Sequence, residues 1–273
     1  MPSLQSILMD NGSCMETSSL CLSDLPNLTD LIIGSDENCN NSYSFYCCKK
    51  LELVNLPALQ TLEFGLFAFH LASALHLKSD LRFGSFPVDL PNLISVSFNN
   101  ASFSKLQSLE WSGLTHVANI SIGNRCMNLV SEMEFSDFPC LEHLSFGSDC
   151  CRNVKDLKMR GLGQLRVISI GDHSFYKTLH TDFVELPVVS TFTVGKKVFP
   201  SLVRVNMECG VAATISRVVV SDTFRSVMTN ICNSNSCFCL FHRYAGSILA
   251  CQRKWSPTFH RSLPRTFRHC CLP

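Results

Sequence analysis

The sequence predicts a β-rich repeat solenoid of about 24 residues per turn, with two short parallel strands in each turn and little helix. Three observations lead there. The pattern Leu-Pro-x-Leu-x-x-Leu-x-Ile-Gly-x-x-Ser-Phe recurs along the chain, and its regular copies start 24 residues apart. Each copy alternates apolar and polar residues with a period of two, the mark of a strand with one buried face. A unit this short cannot bury its apolar side alone, so the units must stack.

The register follows from the residue that precedes the proline. Copies begin at Leu90, Leu114, Phe138, Leu162 and Leu186, 24 residues apart each time. The copy at Leu162 continues through Leu165, Ile168, Ile170 and Gly171 to Ser174-Phe175. Upstream, Leu56-Pro57 and Leu25-Pro26 carry the same pattern at spacings of 34 and 31. The 7-residue surplus is the polar stretch from Ser35 to Asn41, which reads as a loop. The 10-residue surplus lies between Phe69 and Leu90, and His70–Leu75 within it has weak helical spacing. Met1-Pro2, 24 residues before Leu25, opens the chain inside a copy.

A second apolar pair precedes each start, as in Leu51/Leu53, Leu109/Trp111, Met133/Phe135 and Leu157/Met159. This is the second strand. The glycine after the Leu-x-Ile strand reads as a turn residue chosen for its backbone freedom, with Asn99 as its one clear replacement. The column Phe69, Phe103, Phe175 and Phe199 is expected to stack as an internal aromatic ladder.

The pattern resembles leucine-rich repeats, most closely the bacterial-surface subclass with an Ile-Gly-x-x-Ala-Phe signature that also occurs in protists. Ile170-Gly171-Asp172-His173-Ser174-Phe175 is the best match, and the resemblance covers residues 1 to 208. The familiar Leu-x-x-Leu-x-Leu-x-x-Asn signature with its asparagine ladder is absent. The resemblance implies recognition of a protein or a surface, and no chemistry.

Composition divides the chain at about residue 208. Residues 1–210 hold 15 Lys and Arg against 21 Asp and Glu, whereas residues 211–273 hold eight against one. The expected organisation is a solenoid of about eight repeats over 1–208, followed by a basic, Cys-rich tail over 209–273. Three readings of the tail stay open: a small basic module, a disordered extension, or translated sequence never selected to fold. Five Asn-x-Ser/Thr sequons are present, at Asn11, Asn27, Asn40, Asn100 and Asn119. No basic leader with an apolar run opens the sequence, which favours an intracellular place. A start in mid-register is also what a chain lacking its natural N-terminus would show, and a secreted or cell-surface place would follow from that. No run of 18 apolar residues occurs, so no membrane span is expected. Sixteen cysteines fit an intracellular chain if most are reduced, and Cys14, Cys126, Cys140, Cys150 and Cys151 fall on or beside apolar positions.

Candidate chemistry is weak. Asp172-His173-Ser174 looks like a compressed triad, but adjacent residues cannot converge on one proton path. Ser174 instead fills the small slot held by Ala68, Ser102 and Cys126 in other copies. Gly161-Leu162-Gly163 lacks the third glycine of a phosphate loop. Cys232, Cys237, Cys239, His242 and Cys251 invite a zinc reading, yet a single residue separates Cys237 from Cys239 and no second pair follows. Arg253, Lys254, Arg261, Arg265 and Arg268 could contact nucleic acid or anionic lipid, with Trp255, Phe259 and Phe267 between them, although no recognised motif accompanies them.

No catalytic, metal or cofactor site is therefore expected. The candidate surface is the outward column Glu63, Ser97, Ser121, Ser145, Ser169 and Thr193, one residue from each successive strand. Such a column can be a plain solvated strand face, or it can bind a ligand, as sheet faces of solenoids do. The two insertions are equal candidates. The expected function is non-enzymatic recognition of a protein or glycan through the solenoid. The alternative is a decayed or truncated structural member of a repeat family with no specific activity.

Overall fold

A computed structural model describes residues 3–34, 43–78, 90–112, 114–207 and 217–221. The chain winds as a parallel β-solenoid, and no helix occurs among the described residues. One face is a nine-stranded sheet. Its strands, in spatial order, are β1 (Ser6–Met9), β3 (Asp30–Ile33), β5 (Thr61–Phe64), β7 (Ser95–Phe98), β9 (Asn119–Ile122), β11 (His143–Phe146), β13 (Val167–Ile170), β15 (Thr191–Val194) and β17 (Arg217–Val220). Its eight inter-strand steps span about 38 Å. The second face holds β2 (Ser19–Ser23), β4 (Lys50–Val54), β6 (Ala74–Lys78) and β8 (Ser108–Ser112) as one sheet. It holds β10 (Glu132–Phe135), β12 (Asp156–Arg160), β14 (His180–Val184) and β16 (Arg204–Met207) as another.

Pairing keeps the sequence register. Leu144 lies beside Ile168 and Ile168 beside Phe192, so equivalent residues of successive coils stack. The inward residues of the first sheet, such as Leu31, Leu62, Val96 and Leu144, are buried, as are Leu51, Leu157 and Met159 from the second face. Alternation of burial along each strand follows from the two-residue period of an extended chain. In the first coil Leu4, Ile7, Met9, Leu20, Leu22 and Leu25 are only partly buried, because one side of that coil has no described neighbour.

Each Leu-Pro-x-Leu is a tight turn. The amide of the second leucine bonds the carbonyl three residues back, as in Leu59 to Leu56 (3.1 Å) and Leu93 to Leu90 (3.2 Å). Proline suits the second position of such a turn because its φ is already fixed near the required value.

The glycine column has a different cause from the one its sequence suggests. Gly34 has positive φ (88°), but Gly65, Gly123, Gly147, Gly171 and Gly195 are not among the residues with positive φ. Space is what demands glycine there. A Cβ on Gly171 would lie 2.5 Å from the carbonyl carbon of Gly147, and one on Gly65 would lie 2.7 Å from that of Gly34. The left-handed backbone falls on side-chain-bearing residues instead. Phe67 (56°) and Phe69 (52°), Ala101 (57°) and Phe103 (48°), and His173 (59°) and Phe175 (54°) form pairs with one residue between them. The purpose shows in the hydrogen bonds. The amide of the first member reaches forward to the next coil, as His173 does to Lys196 O (2.8 Å), and that of the second reaches back, as Phe175 does to Cys150 O (3.2 Å). Alternating left-handed residues thus satisfy the corner in both directions.

The aromatic ladder forms in two runs. Phe45 stacks on Phe69 (5.3 Å between centroids) and Phe69 on Phe103 (5.2 Å), while Phe175 packs on Phe199 (5.3 Å). Met127 and Cys151, both buried, fill the coils between.

Three details differ from the sequence reading or sharpen it. His70–Leu75 is not helical: Ala74–Lys78 is strand β6, paired to both β4 and β8. Extended chain turns Leu75 and Leu77, two residues apart, into the shared interior. Because β6 stays in register, the longer surplus falls within residues 79–89, outside the described residues. The second face is interrupted between β8 and β10. There the Trp111 indole donates to Glu134 O (2.9 Å) and packs on Phe135 (4.8 Å), so a side chain bridges the two coils. Finally, β17 pairs with β15, so the first sheet takes a strand from beyond residue 208.

Substitution at two glycines tests the close approach of the coils directly. Gly171→Ala is expected to destabilise by about 1–3 kcal/mol through forced separation of two coils. Gly163→Ala, where nothing lies within 4 Å of the added carbon, is expected to be neutral or slightly stabilising. Urea unfolding of both variants compares them, and equal stabilities would contradict the close-approach explanation.

Candidate functional site

The six outward residues nominated by the sequence form one column. Parallel pairing places Glu63 beside Ser97, Ser97 beside Ser121, and so on through Ser145 and Ser169 to Thr193. Ser121 is exposed and the others are half-buried. A second column lies two residues earlier and was not nominated: Thr61, Ser95, Asn119, His143, Val167 and Thr191. It is found by applying the two-residue period to the other outward position of each strand. From β7 to β15 the two columns contain one ionisable residue, His143.

The hydroxyls are partly paired with one another. Ser145 donates to Ser121 Oγ (3.2 Å). Ser97 donates to Asn99 Oδ1 at 3.5 Å, and the Asn99 amide donates to Glu63 Oε1 at 3.0 Å. Asn99 thus ties the acidic end of the column to its hydroxyl run.

The opposite face of the later coils is different in kind. On β10, β12 and β14 the outward groups are charged and paired across strands. Lys158 meets Glu134 (3.6 Å), His180 meets Asp156 (2.8 Å), and Arg160 meets Asp182. Such exposed pairs contribute little each, but they leave fewer unsatisfied charges on that face. The Asp182 carboxylate holds the Arg160 guanidinium above its ordinary pKa.

A short side-chain ladder runs along the corner after the first sheet. Asn124 N donates to Asn100 Oδ1 (2.8 Å), Ser148 N to Asn124 Oδ1 (2.6 Å), and Lys196 N to Asp172 Oδ1 (2.7 Å). The familiar leucine-rich-repeat signature is absent, yet coil-to-coil bonding by Asn and Asp is present in another slot.

That ladder and the small interior slot separate the three groups of Asp172-His173-Ser174. Asp172 bonds the backbone of the next coil. Ser174 is fully buried and donates to Gly147 O (2.6 Å). His173 sits at a left-handed corner position, with its amide on Lys196 O. In Gly161-Leu162-Gly163, Leu162 is a buried core residue, and Gly161 (φ 65°) occupies the left-handed slot held elsewhere by Asp24, Asn55 and Glu185.

The small slot also holds thiols. Cys126 Sγ donates to Asn99 O (3.1 Å) and Cys150 Sγ to Gly147 O (3.1 Å), both within the core. Burial pushes the Cys126 thiol up to about 12, and burial also raises Cys151. Cys14, Cys21 and Cys140 are exposed, so the apolar slots beside Cys14 and Cys140 do not enclose them. The eight cysteines among the described residues carry free thiols. No group of three or more potential metal ligands occurs among the described residues. Cys232, Cys237, Cys239, His242 and Cys251, the basic residues from Arg253 to Arg268, and the insertion Ser35–Asn41 all lie outside the described residues. No helix among the described residues is long and apolar enough to cross a membrane.

No protein-family model, curated protein or solved structure matches the chain.

Thiol reactivity checks the interior slot. Iodoacetamide at about pH 8 is expected to label Cys14, Cys21 and Cys140 in the folded protein and to spare Cys126, Cys150 and Cys151 until denaturant is added. Peptide mapping reads the sites. Native labelling of Cys126 as fast as Cys21 would contradict the buried column.

Proposed function

We propose that the chain is a non-enzymatic recognition scaffold that holds a protein or glycan ligand along the outer face of its nine-stranded sheet. One observation carries the reading: two adjacent columns of mostly hydroxyl and amide side chains, nearly free of charge from β7 to β15, repeat at the strand spacing. That arrangement suits a ligand that is itself extended and polar, such as a peptide strand or a glycan chain, whose groups recur at a few ångströms. The contrast with the ion-paired opposite face supports the choice of side. The resemblance to leucine-rich repeats points the same way, because that family implies recognition.

A second reading is a structural member of a repeat family without a ligand. The Ser145–Ser121 hydrogen bond favours it, since hydroxyls that satisfy one another need no partner.

One experiment separates the two. Glycan-array binding and native-lysate capture are run with the full chain and with the double variant Ser145→Arg/Ser169→Arg. Ser145 and Ser169 are cross-strand neighbours, so the two arginines repel and cost some stability, and circular dichroism checks that the variant is folded. A ligand retained by the parent chain and lost at least about tenfold by the variant, about 1.4 kcal/mol, supports the sheet face. Retention of nothing by the parent chain, or equal retention by both, contradicts it.

A further inference from the structure

The solenoid corner that follows β1, β3 and β5 carries a cluster of rings that the stacking of coils does not require. Tyr43 stacks on Phe67 with centroids 5.0 Å apart and planes at 26°. Tyr46 stacks on His70 at 4.9 Å and 3°. Tyr43 meets Tyr46 edge-on at 5.5 Å, which joins the two stacks. All four side chains remain partly exposed. In later coils the slot of Tyr43 and Phe67 holds Arg125, Asp149, His173 and Lys197, and that of Tyr46 and His70 holds Ser104, Asn128, Arg152, Tyr176 and Pro200. The corner thus also forms with charged or amide groups, and the rings stacked on one another here are an addition to it.

The neighbours on either side of the Tyr43–Phe67 stack are small. The same slot in the preceding coil is Gly12 and in the following coil is Ala101. Neither has a side chain long enough to cover a ring that projects beyond the backbone. Among the described residues, the adjacent slots thus supply no side chain to cover the outer face of Tyr43 or of Phe67, whose ring also meets His70 at a tilt (6.0 Å). Polar groups stand beside them. The Tyr43 and Tyr46 hydroxyls lie at the ring tips, and Ser104 Oγ lies 2.7 Å from His70 Nδ1. Burial lowers the His70 pKa, which keeps the ring neutral near neutral pH.

We propose that this corner binds a neutral carbohydrate, with sugar rings lying against the open faces of Tyr43 and Phe67. A pyranose presents a face of C–H bonds made slightly positive by adjacent oxygens. Such a face is attracted to the negative face of an aromatic ring, while the hydroxyls of its rim need the donors and acceptors that surround the rings here. The immediate slot neighbours argue for this occupant over a phosphate-bearing one. Gly12, Met15 and Ala101, which flank Tyr43 and Phe67, carry no charge, and Lys105 stands on the His70 side of the cluster, where its charge adds to the lowering of that ring's pKa. The slot neighbours also argue against a protein anchor, which sits in an enclosed pocket, whereas this is an outer corner. The site lies off the sheet face, and neither reading depends on the other.

The test titrates cellohexaose, xylohexaose and mannohexaose into the full chain, with intrinsic tyrosine fluorescence and line-broadening of the sugar resonances as readouts. At least one hexasaccharide is expected to bind. Tyr43→Ala and Phe67→Ala are each expected to weaken it about tenfold. Alanine suits the backbone at this slot, since Ala101 occupies it with φ 57° against 56° for Phe67. Circular dichroism checks that each variant is folded. Tyr43→Phe keeps the ring and is expected to retain most of the binding, and Ser145→Arg/Ser169→Arg is expected to leave it unchanged. Binding of none of the three sugars overturns the proposal. So does binding that survives both alanine variants. Loss in the sheet variant with retention in the corner variants would move the sugar to the sheet, upholding that face and ending this site.

Discussion

Successive coils must bring their backbones within hydrogen-bonding reach of one another, and everything else in the structure accommodates that approach. The strands meet it by parallel pairing. The glycine column meets it by carrying no side chain where two backbones come closest, as Gly171 does against Gly147. The corners meet it with paired left-handed residues, whose amides point alternately forward and back. The interior then has no choice of partner. Each apolar residue lies on its equivalent in the neighbouring coil, so a single coil has no core of its own.

Such an interior frees the exterior to vary. The core columns repeat nearly the same residues, while the outward slots differ from face to face and from coil to coil. The later coils carry paired charges on one face and hydroxyls on the other. The early coils carry stacked rings at a corner where the coils after β9 and β11 carry Arg125, Asp149 and Arg152. A scaffold of this kind displays different chemistry along its length without changing its fold, which is why the functional argument rests on exposed slots.

The stacking of Leu144, Ile168 and Phe192 was legible because burial of one face imposes a period of two within a strand and of 24 between coils. The Phe ladder and the column from Glu63 to Thr193 were legible for the same reason. Glycine was recognised but its cause was not, because a tight approach between coils leaves the same mark in sequence as a positive φ. Phe67, Phe103 and Phe175 gave no sign of left-handed backbone, since residues of that type seldom adopt it. Trp111 fitted an apolar slot, and nothing in the pattern said that its indole would replace a backbone bridge. The weak helical spacing of His70–Leu75 was outweighed by the demands of the shared interior. The ring cluster at Tyr43, Tyr46, Phe67 and His70 escaped notice because an insertion separates the first two residues from their repeat.

Amide hydrogen exchange read by mass spectrometry tests the mutual dependence of coils most directly. Strongly protected amides should recur every 24 residues, in β9, β11, β13 and β15 and in their partners on the second face, and should lose protection together as denaturant rises. Protection that lacks this period, or coils that open independently with Leu144 exchanging long before Ile168, would show that no continuous interior joins them.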